Sequence, residues 1–520
     1  MASFDHIVIG SGSGGSAVAA RLSEDPNVEV LLLEAGGTDL RLEVRAPAAF
    51  PSQFHTKIDW DYFTEPEPGC DYRRIYQPRG KVLGGCSSMN AMLWIRGSAA
   101  DYNGWGLDGW RWDDVYPYFL KMEDHFLDDG EHGTGGPMKV RRQDNHDPLS
   151  QLFVDAAAKA GVPNNPDVSG PNLHGTTIAP VTVHNGHRWN TARGYLDDAK
   201  KRKNLTIITK ALVHRVLIEN GRAVGIEYER RGRVTRARAR GEVVLSAGAF
   251  GTPHLLQLSG IGDAALLREI GVPCIVDNPH VGANLAEHPL TLINWEIKSE
   301  HVGLFDAQNP KYLAQWLAKR EGKLASNIAE AVAHIKTLDD LVDPDFQLVF
   351  APGFFWMHGL LEHPVPGLAI AQSQWSPRSQ GWVRAKSSDP RRKPAVQLNL
   401  MVDEHDIEAQ VRAIRFSREI AATAPLVDVV GEEIYPGAAV QTDDQLRTWI
   451  RAHCEHTFHP SCTARMGAAG EGVLDEKLRV RGVDGLRVAD ASALPSITHA
   501  NTNAPSILMG ERCADFIRTG

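Results

Sequence analysis

The sequence predicts an α/β domain joined to an α+β domain, the latter built on an antiparallel sheet with flanking helices. Three observations lead there. Residues 4–36 read as strand, glycine turn, helix and strand, the βαβ pattern of a parallel sheet. Strand-like runs after residue 290 do not alternate regularly with helical patterns, which argues for a separate mixed layer. A chain of 520 residues exceeds one ordinary domain and suits two to three cores.

The opening unit carries the first chemical signal. An apolar run ends in Gly10-Ser11-Gly12-Ser13-Gly14-Gly15, an Ala-rich helical pattern follows to Leu22, and a second apolar run ends in Glu34. Gly10 permits the sharp turn, Gly12 lets backbone approach a pyrophosphate, and Gly15 lets helix and strand pack closely. An anion can then sit on the exposed N–H groups of the helix start. Glu34 lies 19 residues after Gly15, where a carboxylate accepts hydrogen bonds from ribose hydroxyls and repels a 2′-phosphate. This is a Rossmann-like dinucleotide motif, and its place at the N-terminus with Glu as the acid looks more like FAD proteins than NAD proteins.

Composition narrows the class. The chain is 42% hydrophobic and 23% charged, with 48 glycines and 30 prolines, as in a globular protein rich in turns. A formal charge of -9 leaves no basic footprint for nucleic acid. No apolar run has the length of a membrane span and no basic segment precedes an apolar one at the N-terminus, so a cytoplasmic protein is expected. The six cysteines form no Cys-x-x-Cys pair and are expected as free thiols.

Along the chain, residues 46–79 are irregular and Pro-rich, expected at the surface or wrapped over a cofactor. Residues 78–98 mix glycines with small polar side chains and then a helix-like apolar run: either a close approach to a flat ligand or a loop into a buried helix. The polar stretch 101–180 reads as a lid or a long solvated connection. Strands are predicted at 205–209, 211–219, 223–228 and 237–245. The last of these leads into a glycine turn and a helix with Thr252 as N-cap and Pro253 at its first position, returning the chain to the nucleotide-binding sheet.

Composition changes after residues 281–289. Strands at 291–297, 346–351, 368–375 and 381–386 mix with helices at 312–319 and 403–424. Phe354, Phe355, Trp356 and Trp375 gather there, as core or as a pocket wall. His453, His456 and His459 share a three-residue spacing, but Pro460 opposes a regular helix through them and no acid or cysteine pattern completes a metal site. No metal is expected, and His453 and His456 read as structural. The closing strand ends in Asp490 at a small-residue turn, Asn501 and Asn503 are turn formers or site amides, and a helix runs from Ser506.

Taken together these segments resemble the glucose-methanol-choline oxidoreductase family nearly end to end. The opening glycine motif, residues 78–98, residues 248–262, His459-Pro460-Ser461-Cys462-Thr463 and Asn501-Thr502-Asn503-Ala504-Pro505 match five family motifs in order. The resemblance implies FAD. It assigns Gly10, Gly12, Ser13, Gly14, Gly15, Glu34 and Ala35 to the ADP half, and Val213 to the adenine. Gly85, Asn90, Ala91 and Met92 would line the isoalloxazine, and Asp490, Ala491 and Thr502 the remaining cofactor contacts. His459 falls on the catalytic histidine and Asn501 on the residue sharing the alcohol oxygen. The expected domains are 1–290 with 458–520 for FAD and 291–457 for substrate, with 101–187 a lid or part of the latter.

The residue types suit the implied chemistry. Alcohol oxidation removes a proton from oxygen and a hydride from carbon, so it needs a neutral base, a second oxygen-binding group and the flavin as hydride acceptor. The expectation is oxidation of a primary alcohol to an aldehyde, as in choline dehydrogenase-like members, with O2, a quinone or another carrier taking the electrons and the dehydrogenase placed ahead of the oxidase. The alternative is a hydroxynitrile lyase on the same fold. Three departures stand out. Met89 replaces the histidine that bonds flavin in choline-oxidase-like members, so FAD is expected to be noncovalent. Cys462 replaces a glycine and puts a thiol near the proposed base, where it either narrows the pocket or, as the lesser alternative, has a redox role. Gln380 stands where relatives commonly have Arg. Glu330 is a candidate counter-charge for a choline-like cation, or a surface residue.

Overall fold

The computed structural model describes all residues except Met1, Asp144 and Ser299. In chain order its main elements begin with β1 (Ala2–Ile9), α1 (Ser13–Leu22), β2 (Val30–Glu34), α2 (Ala99–Gly104), α3 (Trp112–Met122), α4 (Pro148–Lys159) and β3 (Gly175–Ile178). There follow β4 (Leu205–Thr209), β5 (Ala211–Glu219), β6 (Arg222–Arg230), β7 (Arg233–Leu245) and α5 (Gly248–Leu258). The second half holds β8 (Pro289–Ile297), α6 (Pro310–Lys319), β9 (Ala331–Ile335), β10 (Phe346–Ala351), β11 (Gly367–Gln374) and α7 (Glu404–Ala421). It closes with β12 (Val430–Tyr435), α8 (Asp443–His453), β13 (Glu455–His456), β14 (Leu486–Val488) and α9 (Asn503–Thr519).

The first sheet has the order β4-β2-β1-β7-β6-β5, with β14 beside β7. Its centre is parallel: His6 pairs with Val30 of β2 and with Glu242 of β7, and Val243 pairs with Leu486 of β14. Every residue of β2 is buried, as a strand covered on both faces requires. β7 serves two roles. Its first half pairs antiparallel with β6, its second half parallel with β1 and β14, so a polar meander and the buried parallel core share one strand. The second sheet, β12-β8-β11-β10-β9-β3 with β13 beside β8, is antiparallel throughout. α4 packs on it, with Phe153 stacked on Phe350 at 4.9 Å between ring centres.

α1 is small-residue and almost wholly buried because α9 crosses it at backbone distance. A Cβ at Gly510 would stand 2.3 Å from the Gly14 carbonyl oxygen, and one at Gly14 would stand 2.0 Å from that of Ala489. The C-terminal helix therefore seals the nucleotide-binding unit.

Several local expectations change. The polar stretch 101–180 is neither a lid nor a solvated connection: Tyr102, Trp110, Phe119, Met122 and Phe153 are fully buried, and β3 is the edge strand of the second sheet. Even some of its charges are internal: Glu123 is fully buried and paired with Arg96 and His132. Residues 90–98 form no helix: Met92 adopts φ +63°, Leu93 bridges Val181 and the Trp94 amide donates to the Pro180 carbonyl. The helix starts only at Ala99, where Ser98 and Asp101 form a capping box. Thr252 is not an N-cap, because α5 begins at Gly248 and places Pro253 inside the helix. Proline cannot donate to the Ala249 carbonyl one turn back. The Thr463 hydroxyl donates to it instead, at 2.7 Å. α9 begins at Asn503, ahead of Ser506. The strand Trp382–Arg384 pairs with Ala395–Gln397, outside the main sheet. No helix among the described residues is long and apolar enough to cross a membrane.

Replacing glycine by alanine inside an open helix stabilises it by about 1 kcal/mol. Gly510→Ala is expected to do the reverse, by about 1–3 kcal/mol, because the new methyl meets backbone that cannot rotate away. Thermal unfolding checks the sign; an unchanged or raised Tm would contradict the helix crossing.

Candidate active site

One cavity is lined by Gly10, Gly12, Ser13 and Gly14 of the opening turn, by Glu34, Ala35 and Val213, and by Gly85, Asn90, Ala91 and Met92. Asp490, Ala491, Thr502, His459 and Asn501 line it as well, so nearly every residue singled out in the sequence meets in one space. Gly15 is the exception. It is buried behind the turn, where a Cβ would meet the Gly10 carbonyl oxygen at 2.0 Å, the helix-to-strand packing role.

The turn needs glycine for stated reasons. Gly10 has φ +95°, and its missing Cβ would stand 2.3 Å from the Ser246 carbonyl oxygen. The Gly12 position opens onto free space, while a Cβ at Gly85 would come within 2.7 Å of the Gly12 Cα, so two glycine loops touch at the cavity. Glu34 accepts from the Ser11 hydroxyl at 2.7 Å, the Ser11 amide at 3.1 Å and the Gly36 amide at 2.7 Å. Burial raises its pKa and these donors oppose that. Asn503 accepts from the Ser13 hydroxyl at 2.7 Å, yet its buried Nδ2 has no partner, and neither has His254 Nε2; both residues line the cavity. Glycine cradle, helix start, carboxylate and unpaired donors fit a dinucleotide.

Asp490 lines the cavity with its carboxylate already committed. Oδ1 accepts from the Ser492 amide and hydroxyl, and Oδ2 from the Gly248 amide and the Thr252 hydroxyl at 2.6 Å. It ties α5 to the C-terminal strand. Asn90 is held by Arg188, a fully buried guanidinium that donates to the Asn90 carbonyl at 2.6 Å and to its Oδ1 at 2.7 Å. Burial pushes the Arg188 pKa down to about 9. The sequence alone does not mark Arg188.

His459 is the centre of the polar end. Its amide donates to Glu287 Oε1 at 2.7 Å, its Nδ1 meets His288 Nδ1 at 3.0 Å, and its Nε2 faces Asn501 Nδ2 at 3.4 Å. Glu287 also accepts from the His288 amide at 2.9 Å and contacts His456 Nδ1 at 3.3 Å, so one buried carboxylate shapes the turn carrying the imidazole. Burial lowers the His459 pKa to about 4, Glu287 opposes this, and the Arg79 charge adds to it. Asn501 makes a reciprocal amide pair with Gln347, both contacts 3.1 Å. Glu287, His288 and Gln347 escape the sequence reading. The only signal for the first two is an Ala-Glu-His-Pro string at the domain boundary.

The three spaced histidines part company: His453 Nδ1 contacts the Trp449 carbonyl, His456 contacts Glu287 and the Tyr76 carbonyl, and only His459 lines the cavity. Cys462 does not narrow the pocket. Its side chain is buried outside the lining, and its backbone has φ +71°, the left-handed region in which glycine is the easy occupant. Burial pushes its thiol up to about 12, so it is a thiol rather than a thiolate. Glu330 is neither exposed nor in the lining; it accepts from Ser150, Ser326 and the Asp147 amide. Of the four aromatics, Phe355 reaches the cavity, while Trp375 is core beside His334. Residues 46–79 supply Phe50, Phe54, Trp60, Tyr62, Pro78 and Arg79 to the wall. All six cysteines are free.

Family models described as GMC oxidoreductase match residues 4–290 and 377–510. The chain belongs to the GMC oxidoreductase family. A GMC-type oxidoreductase of Mycobacterium tuberculosis is 40% identical, covering 99% of both chains. An oxygen-dependent choline dehydrogenase of Rhizobium etli is 40% identical over 99% of this chain and 95% of that one. Among solved structures, pyridoxine 4-oxidase from Mesorbium loti aligns with a TM-score of 0.92 at 29% identity, covering 99% of both chains. Aspergillus oryzae formate oxidase aligns at 0.93 and 29%, covering 100% of this chain and 98% of that one. As a GMC oxidoreductase the protein is FAD-dependent, and the glycine cradle is where the residues fit that cofactor.

The lowered His459 pKa has a readable sign. The imidazole is neutral above about pH 4, so kcat/KM is expected to be flat on its acid side from neutrality down to about pH 5 and to fall below that. A limb near 6.5, in a pH profile bracketed by stability controls, would contradict the buried environment.

Proposed function

We propose that this GMC oxidoreductase oxidises an uncharged primary alcohol with an apolar body to the aldehyde. The observation that carries this is the pairing of His459 Nε2 with Asn501 Nδ2 on the wall of the same cavity that holds the glycine cradle. His459 takes the hydroxyl proton and Asn501 donates to the alcohol oxygen as it gains charge. FAD, when bound, supplies the acceptor for the hydride. In this reading residues 1–290 with 458–520 hold FAD, Gly10 to Glu34 its ADP half and residues 85–92 its ring region. Residues 291–457 face the substrate.

The substrate's character follows from the wall. Phe50, Phe54, Ile328, Val349, Phe355 and Phe458 surround the cavity, and the one carboxylate that would suit a cation, Glu330, is turned away into its own hydrogen bonds. Arg79 places a positive charge close enough to depress His459. Phenylalanine faces suit an aromatic or aliphatic body and would also attract a quaternary ammonium; the Arg79 charge and the absence of Glu330 from the wall tip the reading to an uncharged alcohol.

The test is an anaerobic absorbance titration with benzylic and aliphatic alcohols and with choline. Bleaching by a neutral alcohol is the expected result, with His459→Ala slowing it by about 10²-fold or more. Preference for choline overturns the substrate class, and no bleaching by any alcohol favours a lyase on the same fold. Recovery of colour on readmitting air separates oxidase from dehydrogenase. With Met89 buried in the cavity wall, FAD is expected to be noncovalent and to appear in the supernatant after acid precipitation; colour retained in the pellet means a covalent link.

A further inference from the structure

Behind Asn501 a chain of hydrogen bonds runs to the backbone. Asn501 pairs with Gln347 through both amide groups, Gln347 Nε2 contacts His334 Nε2 at 3.1 Å, and His334 Nδ1 contacts the Leu173 carbonyl at 2.9 Å. All three side chains are buried, His334 and Gln347 completely. They sit on β9, β10 and the turn before α9, so two secondary elements of the second sheet reach the base of the first domain's site.

The polarity of this chain has only one consistent solution. The Leu173 carbonyl can only accept, so His334 Nδ1 carries the proton. A fully buried imidazole stays neutral, so His334 Nε2 holds a lone pair and must accept from Gln347. Gln347 therefore turns its NH2 toward His334 and also donates to Asn501 Oδ1, while its Oε1 accepts from Asn501 Nδ2. The second Asn501 N–H then points at His459. Flipping both amides would aim Gln347 Oε1 at a lone pair on His334, leaving a buried acceptor pair unsatisfied at about 1–3 kcal/mol.

We propose that Gln347 and His334 are positioning residues that lock the Asn501 amide and, through it, keep the lone pair of His459 on Nε2 and its proton on Nδ1, donated to His288. The inference rests on His459 being the base. An alcohol entering between His459 and Asn501 then finds a lone pair for its proton and an N–H for its oxygen, both already aimed. With the Asn501 amide reversed, its oxygen would compete with the base for the hydroxyl proton and repel the developing alkoxide.

The experiment compares flavin-loaded enzyme and its Gln347→Leu variant, labelled with 15N-histidine, with His459→Ala to assign the His459 resonances. The parent is expected to show an unprotonated Nε2 and a protonated Nδ1, and the variant a mixture of tautomers. In turnover, Gln347→Leu is expected to lower kcat by about 10- to 100-fold with KM and flavin content within about twofold, and to add nothing to Asn501→Ala. His334→Leu should reproduce the effect, and His334→Gln, which keeps a donor and an acceptor, should largely reverse it. A single Nε2-lone-pair tautomer in Gln347→Leu, or losses that multiply with Asn501→Ala, overturns the proposal. Should Gln347→Leu not fold, the His334→Leu and His334→Gln pair carries the same tautomer readout. Retained bleaching in His459→Ala would defeat the catalytic reading, while the tautomer measurement, which needs no turnover, still decides this one.

Discussion

The architecture depends on backbone meeting backbone where β1, β7 and β14 end side by side. The Ser246 amide donates to the Ile9 carbonyl, the Ala489 amide to the Leu245 carbonyl, and the Ser246 hydroxyl to the Ala489 carbonyl. Gly10, Gly14 and Gly15 fill the space between these chains, each with a neighbouring carbonyl oxygen within 2.3 Å of where a Cβ would be. Any side chain there would part the three strands. Residues more than 470 positions apart in sequence are thereby fixed within one turn of each other, and the glycine cradle and the wall that carries His459 and Asn501 are built on that junction.

A second constraint is dryness. Apart from Glu287, held by amides and a histidine, and the nearby Arg79 charge, the polar end of the cavity is built from buried neutral groups: His288, His334, His459, Asn501 and Gln347. Desolvation keeps the imidazoles unprotonated. Neutral groups have defined donors and acceptors, and once a backbone carbonyl sets one of them the others follow. Electrostatics and orientation are thus linked: the burial that keeps His459 neutral also limits its two ring nitrogens to His288 on one side and Asn501 on the other.

Departures from local rules mark functional ground. Proline inside α5 frees the Ala249 carbonyl for Thr463, three residues after Pro460, so the turn bearing His459 is pinned to the helix that follows β7. Cys462 tolerates a left-handed backbone in the same turn. Neither feature shows this role in the sequence, where Pro253 reads as an ordinary helix start and Cys462 as a departure; both become fixtures once the segments meet.

The sequence by itself determined the βαβ unit, because periodicity and glycine spacing are local properties, and with it the strands of the first sheet and three of the second, β8, β10 and β11, whose apolar runs stand in contiguous text. It also brought out His459, Asn501 and the glycine cradle through motif spacing and family resemblance. It misread residues 90–98 as helix-like and 101–180 as lid or solvated connection, since hydrophobic runs do not reveal whether a partner strand such as Val181 is at hand. Glu287, His288, Gln347, His334 and Arg188 were decided only by the tertiary structure. Each is an ordinary polar residue in its own segment, and its role comes from being desolvated beside residues far away in the chain, where every donor must find an acceptor.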